Sequence, residues 1–342
     1  MEVKIESLKN YNMSNWEATH TFDTLNTGNN KVNILKYISE YLNNNGEENS
    51  IFIFSASFKI SSSYSRYFNT GNQLSLNNLD DLQNITYMGK IIPFEYNEDL
   101  ANIQHLLDEY KSLNYMLDNF KNHNIKRKKF VSRDLIKYLK MLSQNTMNQV
   151  LENMFDDYKD KIEKYYKIQQ YPNEEFYTKT MQKLSQKHSN IDNRYRKYIH
   201  TSTVTTNKTF MNNFYNFSRP IIGIYEKTTN TIKIINSDQM FEKGKNCNDN
   251  LGLISITRNS PIKITVNATG IMKNIFNYLI LSENDTFTLA DNTTFNNDAD
   301  LIEKTFNSSN SNINNLAKKV LNKIKEVTKS SKVSIQKMTN DN

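Results

Sequence analysis

Between residues 99 and 200 the apolar side chains recur every three or four positions, and this stretch constrains the fold more than any other part of the chain. Leu100, Ile103, Leu107, Tyr110, Leu113 and Leu117 form one helical stripe. Ser132 suits the N-cap of a second helix holding Leu135, Leu139 and Leu142. A third helix is expected over 146–169, carrying Val150, Met154, Tyr158, Ile162 and Tyr165 and stopped by Pro172. One more is expected over 173–196. Residues 99–197 therefore read as a helical region.

The period changes on both sides. Residues 1–98 read as a mixed α/β N-terminal region. Within it, 1–30 lack apolar runs and suggest an extended arm or loose start. Val32, Leu35, Ile38 and Leu42 predict a helix over 31–43. Residues 50–63 read as a strand, and 85–96 as a second strand or hairpin arm. Residues 198–300 read as an antiparallel sheet with one packed helix. Its expected parts are a β-rich 199–206, a hairpin over 220–237 turned at Thr229-Asn230, a hairpin over 251–270 turned at Asn259-Ser260, and a helix over 271–282. Residues 301–342 read as a polar linker (306–315) and a basic amphipathic tail helix with Leu316, Val320, Ile324 and Val327 on one face. The tail can bind a partner, nucleic acid or an anionic surface, or dock on its own domain. The fold class expected is α+β.

Composition removes several function classes. Cys247 is the sole cysteine, which rules out a disulfide framework and thiolate zinc sites. The five histidines lack the spacing of a helical metal site. No apolar run approaches the roughly 20 residues of a membrane span. The first residues lack the pattern of a secretory leader, so a cytoplasmic or virion location is expected rather than secretion. Eight glycines leave little material for a nucleotide-cradling loop, and the usual glycine-rich motifs do not occur. No cofactor, metal or catalytic residue is expected. Asn makes up about one residue in six or seven, and Lys outnumbers Arg 36 to 7. The simplest account of both biases is an extremely AT-rich genome, as in some large DNA viruses, phages, protists and linear plasmids. Lysine richness alone is therefore no binding signal; clustering is required.

Clustering is present. The chain's formal net charge is +7, and residues 121–140 alone hold eight Lys/Arg against one Asp. Lys126, Arg127, Lys128 and Lys129 precede the Ser132-capped helix. Arg133, Lys137 and Lys140 fall on that helix away from its leucine stripe. Basic side chains at a helix start can meet a phosphate backbone; a solvated loop is the plainer alternative. A second cluster, from Lys179 to Lys197, contains Arg194, Tyr195, Arg196 and Lys197. Arginines interleaved with tyrosines can stack bases of a single strand. The plainer alternative is a helix end with two packed tyrosines.

Acid clusters occur at Asp80-Asp81, at Asp156, Asp157 and Asp160, and at Asp298 with Asp300. Such pairs can bind Mg²⁺ or transfer protons. The middle set sits among lysines on a predicted helix, where i,i+3 and i,i+4 ion pairing explains it.

Tyr225-Glu226-Lys227, Ser237-Asp238-Gln239 and Pro261-Ile262-Lys263 lie within an expected order of strand, short helix, four strands and helix over 199–282. This segment resembles one half of a TATA-binding-protein-like saddle, as in poxvirus intermediate transcription factor subunits. The resemblance covers about a quarter of the chain. It implies a transcription-factor scaffold with promoter or polymerase contacts. The phenylalanine wedges of such saddles have no counterpart at Thr229-Asn230 or Asn259-Ser260, so no DNA-contacting position carries over. The expectation is a non-enzymatic nucleic-acid-binding protein, a viral transcription factor subunit, with DNA favoured over RNA as partner and a second protein subunit as another. A virion structural or assembly protein is the alternative, and an enzyme of nucleic-acid metabolism the third.

Overall fold

Strand β2 (Ile51–Phe54) reads Ile-Phe-Ile-Phe and buries all four side chains. Side chains on a strand alternate between faces, so a strand buried throughout must have a core on each side. In the computed structural model, which describes residues 1–8, 13–56, 73–121, 132–169, 174–235, 251–257, 261–281, 287–288, 294–329 and 333–338, both cores are present. Ile51 and Ile53 enter one core, and Phe52 and Phe54 the other. β2 lies inside a five-stranded antiparallel sheet ordered β3 (Gln73–Ser75), β6 (Thr231–Ile235), β5 (Ile222–Glu226), β2, β4 (Ile91–Pro93). Strand β5 repeats the alternation, with Ile222 and Ile224 in the first core and Tyr225 in the second. The β5–β6 hairpin turns at the expected place, and Asn230 takes φ 52° there, a conformation Asn tolerates well.

A second sheet is four-stranded and antiparallel, in the order β11 (Val333–Lys337), β1 (Glu2–Ser7), β8 (Lys263–Asn267), β7 (Gly252–Thr257). A short pair, β9 (Phe287–Thr288) with β10 (Thr294–Phe295), stands apart. The expected hairpins over 220–237 and 251–270 thus belong to different sheets. The turn at Asn259-Ser260 lies outside the described residues, as does Ser237-Asp238-Gln239. An α+β fold is what the chain adopts.

The loose start expected over residues 1–30 is replaced by β1 and by a long helix, α1 (Asn15–Asn43). Its first turn is fixed by a capping box. Ser14 Oγ accepts from the Glu17 amide at 3.1 Å, and Glu17 Oε2 accepts from the Ser14 amide at 2.8 Å. The buried face of α1 includes Ala18, Thr21, Leu25, Gly28, Val32 and Leu35. Small and polar residues interrupt that stripe, which hid it from a hydrophobicity pattern. They are what lets α10 (Ser311–Thr328) come close: a Cβ on Gly28 would lie 2.8 Å from Ile324 Cγ1. The tail helix docks on its own fold through Ile313, Leu316, Ala317, Val320, Leu321 and Ile324, and β11 follows it into the second sheet. The linker expected over 306–315 shrinks to 307–310, because α9 (Asp298–Phe306) ends at a left-handed Asn307 and Asn310 caps α10.

The expected strand over 85–96 is mostly not a strand. Asn78 caps α2 (Leu79–Tyr87), accepting from the amides of Asp80 and Asp81, and only Ile91–Pro93 is extended. The helical middle forms as expected: α3 (Glu98–Phe120), α4 (Arg133–Met141), α5 (Met147–Gln169) and α6 (Glu174–Ser189) bury the leucine and tyrosine stripes in the second core. Pro172 lies outside the described residues. The single helix expected over 173–196 is two, because α6 ends before Asn190 and α7 (Ile191–Asn216) begins after it.

α7 also overturns the β-rich reading of 199–206 and runs across the border placed at 197/198. Its hydroxyls explain how a Thr-Ser-Thr-Val-Thr-Thr run stays helical. Thr201, Ser202, Thr205 and Thr209 each donate to the carbonyl four residues back, at 2.7–2.9 Å. Tertiary packing then decides. Thr206, Phe210 and Phe214 are buried at helical spacing, while Val204 is 70% exposed. The helix α8 (Gly270–Leu281) expected over 271–282 is present.

Two predictions come from this packing. Phe52 sits across from Gly223, where an added Cβ would lie 2.4 Å from the Phe52 ring. Gly223→Val is expected to destabilise by about 1–3 kcal/mol through overpacking, despite valine's preference for strands. An unchanged or higher urea midpoint would sink that account. The second concerns Asp298, which accepts from the Tyr278 hydroxyl at 2.8 Å and from Lys325 Nζ at 2.5 Å, joining α8, α9 and α10. Burial opposes its ionisation, but the hydrogen bonds from Lys325 and Tyr278 outweigh this and hold its carboxyl below the ordinary 3.8. A lowered folded-state pKa stabilises fully above about pH 4 and is lost as pH falls through the folded value. Asp298→Asn should therefore be less stable than the parent at pH 6 and flatten the stability loss between pH 4 and pH 2, as read by urea unfolding.

Candidate nucleic-acid interface

The first basic cluster is half described. Lys126, Arg127, Lys128 and Lys129 lie outside the described residues. Beyond them, Ser132 caps α4 as expected, its Oγ accepting from the Asp134 amide at 3.2 Å and lying 2.6 Å from the Tyr110 hydroxyl. That cap fixes the helix rotation. Leu135, Tyr138 and Leu139 face the core, and Arg133, Lys137 and Lys140 are exposed. Lys137 is committed to Asp157 at 2.8 Å. Arg133 and Lys140 have no ion pair among the described residues.

The second cluster resolves into two kinds of residue. Arg194 is pinned. It pairs with Glu109, donates to the Lys187 carbonyl at 3.1 Å and lies 6.0 Å from the Phe155 ring centroid. Tyr195 donates its hydroxyl to Asn102 Oδ1 at 2.7 Å, and its ring lies 5.7 Å from that of His105. Tyr198 lies at 4.5 Å from the same imidazole. The tyrosines are thus packing residues at a helix junction, and stacking of bases on Tyr195 has no support in this geometry. Arg196 is exposed and pairs with Asp192 at 2.9 Å. Lys197 is exposed.

Lys197 does not stand alone. With Lys183, Lys187 and Arg194 it lines a groove of about 510 Å³ between α6 and α7, whose lining also includes Met116 of α3. Lys183 and Lys187 are one turn apart on α6, as Arg194 and Lys197 are on α7, so the helix break at Asn190 folds two basic faces onto one groove. No carboxylate is among the residues lining it. Lys187 is the most buried lysine of the set. Its Nζ donates to Ser112 Oγ, and burial lowers its pKa. Lys183 and Lys197 make no ion pair among the described residues. The lining is thus basic and polar, with Lys183 and Lys197 not neutralised by an ion pair among the described residues, and such a surface attracts anions.

Behind the groove is a buried polar cluster. His105 is held near pKa 4, by burial first and by the Arg194 charge second, so it is neutral at pH 7. His105 Nε2 and Glu109 Oε2 are buried without a hydrogen-bond partner among the described residues. The acid clusters do not converge on a cavity. Asp81 accepts from the Ser75 amide at 2.9 Å. Asp157 is bound by Lys137 and the Tyr138 hydroxyl, which overcome burial and hold its carboxyl low, while Asp156 and Asp160 are exposed. Asp300 accepts from Lys304 and the Asn296 amide. Among the described residues no group of three or more His, Cys, Asp or Glu is placed to hold a metal ion. Among them, too, no helix is long and apolar enough to cross a membrane.

Sequence reasoning passed over a further set. His20, Asp23, Thr27 and Lys31 of α1 line a cavity of about 440 Å³. Their spacing of three to four residues is a helical signal, but it is carried by polar residues in a segment that showed no apolar period.

No family model matches the sequence, and no curated protein or solved structure matches the chain.

The Glu109–Arg194 pair is expected to hold α7 against α3. Removing one partner of a fully buried pair costs about 3–5 kcal/mol. The Arg194 side chain is 31% exposed, so Glu109→Ala should cost about 2 kcal/mol, with solvent screening the remaining charge. A urea midpoint equal to that of the parent would show that the pair does not hold this junction.

Proposed function

We propose that the protein is a non-enzymatic nucleic-acid-binding protein that grips the sugar-phosphate backbone with its helical middle. The observation that carries this reading is the groove lined by Lys183, Lys187, Arg194 and Lys197, with no carboxylate in its lining. Phosphate contacts need cations that are positioned but not already neutralised. Lys183 and Lys197 meet that condition among the described residues, and exposed Arg133 and Lys140 of α4 extend the supply of cations on the helical middle. The reading requires no base-specific contact and no stacking tyrosine. A place in viral transcription, with DNA as partner and a second subunit, is supported only by the saddle-like resemblance and the AT-rich codon bias. The strands invoked by the resemblance lie in two sheets, and its first expected strand is helical.

Fluorescence anisotropy with labelled duplex and single-stranded oligonucleotides at 50 and 200 mM salt tests the reading. The parent should bind, and its affinity should fall steeply with salt. The double variant Lys183→Glu, Lys197→Glu should bind more weakly and lower the duplex salt slope by about two, near 0.9 for each lost phosphate contact. Absence of parent binding at 50 mM salt, or an unchanged slope in the variant, would remove the groove from the interface.

A further inference from the structure

Lys31 is 6% exposed, in the middle of α1. A lysine that deep normally has a carboxylate partner, since an isolated buried charge is costly. Lys31 has none among the described residues. Its Nζ donates to the Tyr215 carbonyl at 2.5 Å and lies 5.5 Å from the centroid of the Tyr215 ring. Both contacts are with groups that carry no formal charge. Burial alone draws its pKa down to about 8, so the ammonium still predominates at pH 7.

Lys31 lines the 440 Å³ cavity, which α1 shares with Tyr215 and Ser218 near the end of α7 and with Lys323 of α10. That volume lies in the range of small-molecule sites. Thr27 and Ser218 supply hydroxyls to its wall. Asp23 also lines it but makes no ion pair with Lys31 among the described residues. Lys323, also in the lining, pairs with Glu326 at 2.7 Å. His20, which lines the cavity, stacks face to face on Trp16, with ring centroids 5.1 Å apart and planes 4° apart. Trp16 is 71% exposed and is the sole tryptophan of the chain.

We propose that this cavity binds a small organic oxyanion, a phosphate- or carboxylate-bearing molecule, whose charged head takes the place of the missing carboxylate beside Lys31. The cation is anchored by the Tyr215 carbonyl and held inside a cavity wide enough for a ligand. The hydroxyls of Thr27 and Ser218 complete the hydrogen bonding of the head group, and the Trp16–His20 stack offers a flat apolar surface to the rest of the molecule. The site is built from α1, α7 and α10 and shares no lining residue with the groove of Lys183 and Lys197.

Trp16 is a built-in reporter. Intrinsic fluorescence and thermal unfolding of the full chain would be followed while inorganic phosphate, adenosine 5′-monophosphate or succinate is added up to 10 mM. At least one is expected to change the fluorescence saturably and raise the unfolding temperature. A response to the nucleotide or to inorganic phosphate assigns a phosphate head, and a response to succinate alone assigns a carboxylate. Lys31→Met should weaken that binding at least tenfold while folding as well as the parent, since it removes a buried unpaired charge and keeps an unbranched chain. Lys31→Gln, which keeps a donor for the Tyr215 carbonyl but no charge, should weaken it equally and serves if the Met variant does not fold. The Lys183→Glu, Lys197→Glu variant should keep it. No response to any of the three anions, or an equal response in the folded Lys31 variant, would overturn the proposal.

Discussion

The five-stranded sheet has no solvent face at its centre, and the remaining architecture depends on that. Ile51 and Ile53 fill one core while Phe52 and Phe54 fill the other. A strand of four residues thereby belongs to two hydrophobic interiors at once. Such a wall needs close packing on both sides, and Gly223 supplies the space for the Phe52 ring from the neighbouring strand. Burial of each large apolar side chain contributes roughly 1.5–3 kcal/mol relative to exposure, so β2 concentrates much stabilisation in few residues. The helices α3 to α6 lie on the phenylalanine side. The second sheet, α1 and α10 lie on the isoleucine side. α7 reaches both, with Ile191 in one core and Phe210 and Phe214 in the other.

That arrangement positions both candidate sites. The lysine groove lies where α6 breaks and α7 starts, on the outer side of the phenylalanine core. The Lys31 cavity lies at the other end of α7, where α1 and α10 close on it. Gly28 brings α1 and α10 together at Ile324. One long helix therefore contributes Arg194 and Lys197 to the first site and Tyr215 to the second, and it is fixed at its start by Glu109 and at its end by Phe210 and Phe214.

Much of the helical middle could be read from the sequence because Leu100 to Leu117 and Val150 to Ile162 carry uninterrupted stripes. The cap at Ser132 and the turn at Asn230 were readable for local reasons, a side-chain acceptor and a tolerance of positive φ. The misread elements share a different cause. α1 hides its buried face behind Thr21, Gly28 and Asn29, and α10, which packs on Gly28, lies some 280 residues later. Residues 199–206 have strand-type side chains, but back-bonding hydroxyls and the downstream phenylalanines hold them in a helix. The division of the hairpins between sheets is set by β1, β2 and β11, which no local pattern reveals. In the basic clusters the charges could be found. Sequence could not show which were already neutralised, since Glu109 and Asp157 reach Arg194 and Lys137 only through the fold.

Strand β1 has its two neighbours at β8 and β11, so residues 2–7 pair with 263–267 and 333–337. During synthesis at about 5–20 residues per second, some 13–50 s separate the appearance of β1 from that of its first partner strand. Throughout that interval Val3 and Ile5, both fully buried in the finished sheet, have no sheet to enter. The helical middle and the β2–β5 wall are complete sooner. Closure of the second sheet thus waits on segments made long after β1, with the β2–β5 wall and the helical middle lying between β1 and both of its partners along the chain.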